Sequence, residues 1–103
     1  MKASVNLFNM NIKKEIIYKE VLKLTDKIDK YKNKGFNIKY DTNNNILIVN
    51  YLNSNEYKIN IINENDSLYW CLKPYKDSYF TTSIDNDIDM VLFAIKENET
   101  IYK

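Results

Sequence analysis

The chain has 103 residues, 45% hydrophobic and 28% charged, which suits one folded domain with a single modest core. All fifteen basic residues are lysine, arginine and histidine are absent, and the formal net charge is +1. With Cys71 as the single cysteine and no histidine, these residues exclude an internal disulfide, a structural zinc site and a Cys–His or Ser–His nucleophile pair.

The first predicted element is a long N-terminal helix that ends at Gly35. Residues 1–11 show no clear period and are predicted to form a short strand or an arm. Apolar residues then recur at steps of four, three, four and three, which places them on one face of a helix. This stripe consists of Ile17, Val21, Leu24, Ile28 and Tyr31. Asn11 suits the N-cap, and Gly35, the only glycine, follows a lysine-rich last turn as a C-cap residue does.

From residue 36 the hydrophobic period changes to two, which predicts β-strands. The predicted strands are residues 36–40, 46–52, 56–62, 68–73 and 79–84. The turns between them are short and rich in Asn, Asp and Ser, which favours a meander of antiparallel neighbours. A hairpin of the second and third strands places six apolar side chains on one face. These are Leu47, Val49, Tyr51, Tyr57, Ile59 and Ile61.

The fourth predicted strand and the turn after it hold the only tryptophan, cysteine and proline of the chain. Alternation along this strand points Trp70 and its neighbours Leu68 and Leu72 into the core. The outward set is then Tyr69, Cys71 and Lys73, beside Lys58 and Tyr79. The opposite orientation, in which Trp70 faces a partner, stays open at this point.

The last predicted element is a helix at residues 85–99. Asp85 or Asn86 suits its N-cap. Its core stripe is Ile88, Val91, Leu92 and Ile95. Together the elements predict a single α+β domain over residues 1–103, in which a four- to five-stranded antiparallel meander sheet carries both helices on one face.

Two features predict that the protein acts by surface contact and is not an enzyme. Histidine, the usual general base near neutral pH, is absent, and Cys71 is the single cysteine. An enzyme that relies on Asp, Glu, Lys, Tyr or Cys71 stays chemically possible, but no spacing in the sequence singles out such a group. Met90 and Phe93 lie away from the core stripe of the last helix, and large apolar groups in such positions mark binding surfaces. A lysine stripe at helical spacing on the first helix adds a charged contact surface. It consists of Lys19, Lys23, Lys27, Lys30 and Lys34.

The leading expectation is a small non-enzymatic protein-binding module whose partner is another protein or a second copy of the chain. Lysine, asparagine, isoleucine and tyrosine share A/T-rich codons, and their abundance suits an anti-defence inhibitor or accessory factor from a phage or mobile element. No cofactor or metal is expected for such a module. The chain has no apolar run of about 20 residues and no signal-peptide pattern, so the expected location is the cytoplasm.

Nucleic-acid binding is the alternative from another class. Clustered lysines neutralise phosphates, and aromatic side chains on an open sheet stack bases. The residues for this role are the lysine stripe together with Tyr69, Trp70 and Tyr79.

Residues 44–74 resemble the sheet of frataxins, small iron-handling proteins of iron–sulfur assembly. Frataxins share the order helix, antiparallel strands, helix, and their sheet carries a Trp followed four residues later by Pro, as Trp70 and Pro74 are here. The resemblance implies an iron–sulfur accessory protein in which Trp70 faces outward toward a protein partner. The chain departs from the family in its first helix, because frataxins carry an acidic ridge where this chain has the lysine stripe.

Overall fold

The computed structural model describes residues 14–19 and 28–101. Within these ranges the chain forms three helical segments and five strands. The helices are α1 (residues 14–19), α2 (Ile28–Asn33) and α3 (Ile88–Thr100). The strands are β1 (Phe36–Asp41), β2 (Ile46–Tyr51), β3 (Tyr57–Glu64), β4 (Ser67–Tyr75) and β5 (Ser78–Ser83). This is the predicted α+β fold.

The five strands form one antiparallel sheet in the order β1–β2–β3–β4–β5, so each strand pairs with its neighbour in sequence. This order confirms the predicted meander. The register of the β2–β3 hairpin sets Val49 opposite Tyr57 and Leu47 opposite Ile59, and all four side chains are buried. We call the face that carries them the inner face of the sheet and the opposite one the outer face.

The structure describes two helical segments, residues 14–19 and Ile28–Asn33, within the range predicted for one long N-terminal helix, and the continuity of that helix stays a prediction. Ile17 of α1 and Tyr31 of α2, both members of the apolar stripe, are buried. Gly35 follows α2 with a φ of 95°, a left-handed conformation that favours glycine at the end of a helix. The expected cap at Asn11 and the middle of the stripe lie outside the described residues. The packing of both helices on one face of the sheet stays a prediction.

Strand β4 is longer than predicted. The sequence predicted that it ends at Lys73. The strand continues through Pro74 to Tyr75, and its register with β5 shifts between Leu72 and Tyr75. Proline has no N–H to donate to a neighbouring strand, so it is accommodated where the pairing is irregular. Pairing then resumes beyond the proline.

Trp70 belongs to the core, with 1% of its surface exposed. Its indole Nε1 donates a hydrogen bond of 3.1 Å to the backbone oxygen of Asn86, just before α3 begins. A buried indole N–H needs a partner, and this one ties β4 to the start of the helix. The hypothesis that Trp70 contacts a partner is therefore wrong, as is the outward orientation implied by the resemblance to frataxins.

The core stripe predicted for α3 is confirmed. The buried side chains of this helix are Ile88, Val91, Leu92, Ala94, Ile95 and Asn98. The N-cap is Asp87 rather than Asp85 or Asn86, and its side chain makes no capping hydrogen bond. Asn86 is engaged elsewhere, because its side-chain amide donates to Thr82 Oγ1 at 2.6 Å while its backbone oxygen accepts from Trp70.

Cys71 lies on the outer face, opposite Asn60 and Thr81, but it is buried rather than exposed as expected. Burial raises the pKa of its thiol above the ordinary value, and the opposing effect of Lys73 is smaller. A thiol with a raised pKa is protonated at neutral pH and is a weak nucleophile. Cys71 therefore serves as a small buried side chain of the sheet.

A buried polar network joins the end of α3 to the sheet. The Asn98 side-chain amide donates to Tyr57 Oη at 2.8 Å, and the Lys76 N–H donates to Asn98 Oδ1 at 2.6 Å. Tyr57 Oη in turn donates to Glu99 Oε2. Burial and the hydrogen bond to Glu99 raise the pKa of Tyr57 to about 12. The folded protein thus favours the neutral phenol.

Between pH 10 and pH 12 we expect the free energy of unfolding to fall more steeply in the wild-type protein than in Tyr57→Phe. The folded protein holds the Tyr57 proton up to a pKa of about 12, whereas the ordinary tyrosine pKa of 10.0 applies to the unfolded chain. The stabilisation that results from this pKa difference is fully present below pH 10 and is lost as the pH rises toward 12. Urea unfolding across this range measures the slope, with Tyr79→Phe as the control at an exposed ring. Equal slopes for wild type and Tyr57→Phe would contradict the expectation.

Candidate functional site

Two of the predicted contact surfaces meet in one groove between α2 and α3, with a volume of about 240 Å³. The groove brings Phe93 of α3 together with Lys30 and Lys34 of the lysine stripe. The residues that line it are Lys30, Tyr31, Lys34, Phe36, Asp89, Leu92, Phe93 and Lys96. We call this site the α2–α3 groove.

Core side chains build the floor of the groove. Tyr31, Phe36 and Leu92 are all buried. The rings of Tyr31 and Phe36 meet edge to face with centroids 6.0 Å apart, and Phe36 packs against Tyr51 at 4.8 Å. Because packing fixes these side chains, the floor is formed before any partner binds, which lowers the entropy cost of binding.

Phe93 stands on the edge of this floor with 59% of its surface exposed. Its neighbour Leu92 is 2% exposed, so α3 turns one apolar side chain inward and the next one out to solvent. A large exposed ring beside a preformed apolar floor gains free energy when a partner covers it. Phenylalanine is also enriched in the cores of protein interfaces.

The rim of the groove is basic. Among the residues that the structure describes, Lys30, Lys34 and Lys96 line it together with the acidic Asp89. In the described part of the chain these three lysines have no carboxylate within ion-pair distance. An apolar centre with a positive edge attracts a negatively charged partner and speeds its association.

The remaining contact residues predicted on the helices lie outside the groove lining. Met90, one helical turn before Phe93, is 46% exposed. Lys19 forms an exposed i,i+4 ion pair of 3.9 Å with Glu15, as a solvated helix face does. Lys23 and Lys27 lie outside the described residues.

Tyr69 and Tyr79 belong to the outer face of the sheet. Tyr69 is half-buried, whereas Tyr79 is 55% exposed and its ring centroid lies 5.8 Å from Lys73 Nζ. Neither tyrosine lines the groove. Of the predicted contact residues, the structure therefore places Phe93, Lys30 and Lys34 in the groove and Tyr69 and Tyr79 on the outer face of the sheet.

Sequence reasoning did not identify five of the residues that line the groove as contact residues. These are Tyr31, Phe36, Asp89, Leu92 and Lys96. Lys96 was not singled out, although it follows Phe93 by three positions and therefore shares its side of the helix. Tyr31 was predicted as a core residue, and Phe36 as a member of the inner strand pattern. Both are buried, but they also present surface to the groove, which the periodicity of their own elements does not reveal.

Comparison with known proteins finds no matching family, no matching curated protein and no matching solved structure. Among the described residues, no helix is long and apolar enough to cross a membrane. The same residues contain no group of three or more His, Cys, Asp or Glu side chains that could hold a metal ion. The geometry and charge of the α2–α3 groove and of the outer face of the sheet are the basis for inferring the function.

Proposed function

We propose that the protein is a non-enzymatic protein-binding module whose α2–α3 groove receives a segment of another protein. The segment carries an apolar side chain flanked by Asp or Glu. The observation that carries the proposal is Phe93, exposed beside an apolar floor in a groove whose described lining includes three lysines and Asp89. The apolar side chain covers the ring and the floor, while the carboxylates pair with the lysines.

The size of the groove indicates how much free energy of binding it contributes. A volume of about 240 Å³ accommodates one or two side chains and no larger ligand. Burying one apolar anchor contributes roughly 1.5–3 kcal/mol, so a single segment binds weakly. Met90 is a second exposed apolar side chain on α3, one turn before Phe93. A partner that also contacts Met90 would bind more tightly.

The proposal extends to the biological setting. A module that works by covering a partner's surface suits a small inhibitor or accessory factor, carried by a phage or mobile element and acting in the cytoplasm. Its bias toward residues with A/T-rich codons supports this setting. The absence of histidine and arginine supports a role without catalysis.

A random peptide library panned on the wild-type protein should enrich peptides in which Leu, Ile or Phe is flanked by Asp or Glu. Isothermal titration calorimetry of an enriched peptide should show at least about tenfold weaker binding to Phe93→Ser, because the apolar anchor is lost. Lys30→Glu/Lys34→Glu should weaken binding similarly, because two attractive charges become repulsive.

Matched controls lie on the outer face of the sheet. Tyr79→Ser removes an exposed ring and Lys58→Glu reverses an exposed charge, and both should keep the wild-type affinity. Enriched peptides without acidic residues would contradict the proposal, as would unchanged binding to Phe93→Ser. Concentration-dependent dimerisation that Phe93→Ser abolishes would also contradict it, because the groove would then belong to a second copy of the chain.

A further inference from the structure

The outer face of the sheet carries a row of lysines. Strand pairing joins Lys39 to Ile48, Ile48 to Lys58 and Lys58 to Lys73, so the four side chains cross the sheet in one line from β1 to β4. All three lysines are exposed, and the described residues give them no ion-pair partner. We propose that this row, together with Tyr79, binds single-stranded nucleic acid.

The pairing of Lys58 with Lys73 places two like charges directly opposite each other, which destabilises a sheet. Neighbouring strands lie about 4.8 Å apart, and from these adjacent positions Lys73 reaches over the Tyr79 ring while the charge of Lys58 acts on Asp41. Asp41 is on the same face, and hydrogen bonds from Asn44 together with the charge of Lys58 lower the pKa of its carboxyl group. Asp41 therefore offsets part of the positive charge at Lys58, and a bound phosphate would add negative charge along the rest of the row.

Tyr79 gives the lysine row an aromatic end. Its ring is 55% exposed, and Lys73 Nζ lies 5.8 Å from the ring centroid. Beside it is an open depression of about 370 Å³, lined by the apolar Ile62 and the buried Cys71 and also by Asn63 and the acidic Glu64. An unpaired base can stack on the ring and enter this depression while its phosphates lie along the lysines.

A single strand matches this surface better than a duplex or an acidic peptide does. Bases in a duplex are stacked within the helix, whereas unpaired bases are free to stack on an aromatic side chain. An acidic peptide would pair with the lysines and leave Tyr79 and the depression unused. The site shares no residue with the α2–α3 groove, so it stands independently of the function proposed there.

Fluorescence anisotropy with labelled oligo-U and oligo-dT of about twelve nucleotides tests the site. We expect both oligonucleotides to bind at low salt. The logarithm of the association constant should fall linearly with the logarithm of the salt concentration, with a slope of roughly −2. Three lysines produce this slope because each phosphate contact on a single strand contributes about −0.7. A duplex of the same length and labelled polyglutamate should bind at least about tenfold more weakly.

Two variants separate the charge contribution from stacking. Lys58→Gln/Lys73→Gln should make the salt slope shallower by about 1.4, because two phosphate contacts are lost. Tyr79→Ser should weaken binding about tenfold and leave the slope unchanged, because stacking involves no counterion release. The control Lys30→Gln/Lys34→Gln removes two lysines of the groove and should change neither quantity. Far-UV circular dichroism checks that each variant is folded.

Absence of binding at low salt would overturn the proposal. Equal affinity for the duplex would overturn it too, as would equal affinity of the Lys30→Gln/Lys34→Gln variant for polyglutamate, because stacking of an unpaired base would then play no part. The same holds if Lys30→Gln/Lys34→Gln weakens binding more than Lys58→Gln/Lys73→Gln does, since the strand would then lie on the lysine stripe and not on the sheet.

Discussion

Replacing Trp70 with alanine should lower the free energy of unfolding by about 3–5 kcal/mol, the usual cost of deleting a large buried aromatic side chain. Trp70 is 1% exposed and its indole donates to the Asn86 backbone oxygen, so the change leaves a cavity and removes a hydrogen bond. Small domains are stable by about 5–15 kcal/mol, so the loss is a large share of the total. Urea unfolding followed by far-UV circular dichroism measures it without using tryptophan fluorescence.

Two further variants identify the cause of this loss. Trp70→Phe keeps a buried ring but not the hydrogen bond to Asn86, and it should lose less, about 1–3 kcal/mol. Tyr79→Ala removes an exposed ring and should stay within about 0.5 kcal/mol of wild type. If Trp70→Ala lost less than about 1 kcal/mol, Trp70 would not be a core residue and its role as a surface contact would reopen.

The second large effect is expected for Asn98→Ala, at about 1–3 kcal/mol of lost stability. Asn98 is 5% exposed, and its side chain both donates to Tyr57 Oη and accepts from the Lys76 N–H. Removing it withdraws two hydrogen bonds from a buried network, and buried polar groups left without partners are costly. The same urea unfolding experiment measures the loss.

Asn63→Ala is the matched control, because Asn63 is exposed at the end of β3. It should change the stability by no more than about 0.5 kcal/mol. A second variant, Asn98→Asp, keeps an acceptor for Lys76 but loses the donor to Tyr57 and brings a charge next to Glu99. It should therefore be at least as unstable as Asn98→Ala. A stable Asn98→Asp variant would show that the network is not as closely packed as the structure indicates.

Local pattern was enough to predict most of the fold. The period-two alternation located all five strands, and short polar turns implied that successive strands pair, as the register shows. The strand ends were less certain, because the bulge that carries β4 past Pro74 depends on its pairing with β5. The N-cap at Asp87 was missed for a similar reason, since Asn86 is held by Thr82 and Trp70.

The two surfaces were harder to predict because both depend on contacts between distant parts of the chain. Phe93 and the lysines of α2 were each identified, but nothing in their spacing shows that they meet in one groove. The lysine row on the sheet needed the register of four strands, because Lys39, Lys58 and Lys73 belong to different elements. The net charge of +1 does not indicate either basic surface, because acidic residues elsewhere in the chain balance the lysines.

The most direct test of groove binding is an NMR titration of ¹⁵N-labelled protein with an acidic peptide selected on it. We expect the largest chemical-shift changes at the backbone amides of Lys30, Lys34, Leu92, Phe93 and Lys96, and none at Lys39, Lys58 or Lys73. Changes confined to the outer face, or a bound peptide that leaves the amides of α2 and α3 unaltered, would show that the helices do not form the contact surface.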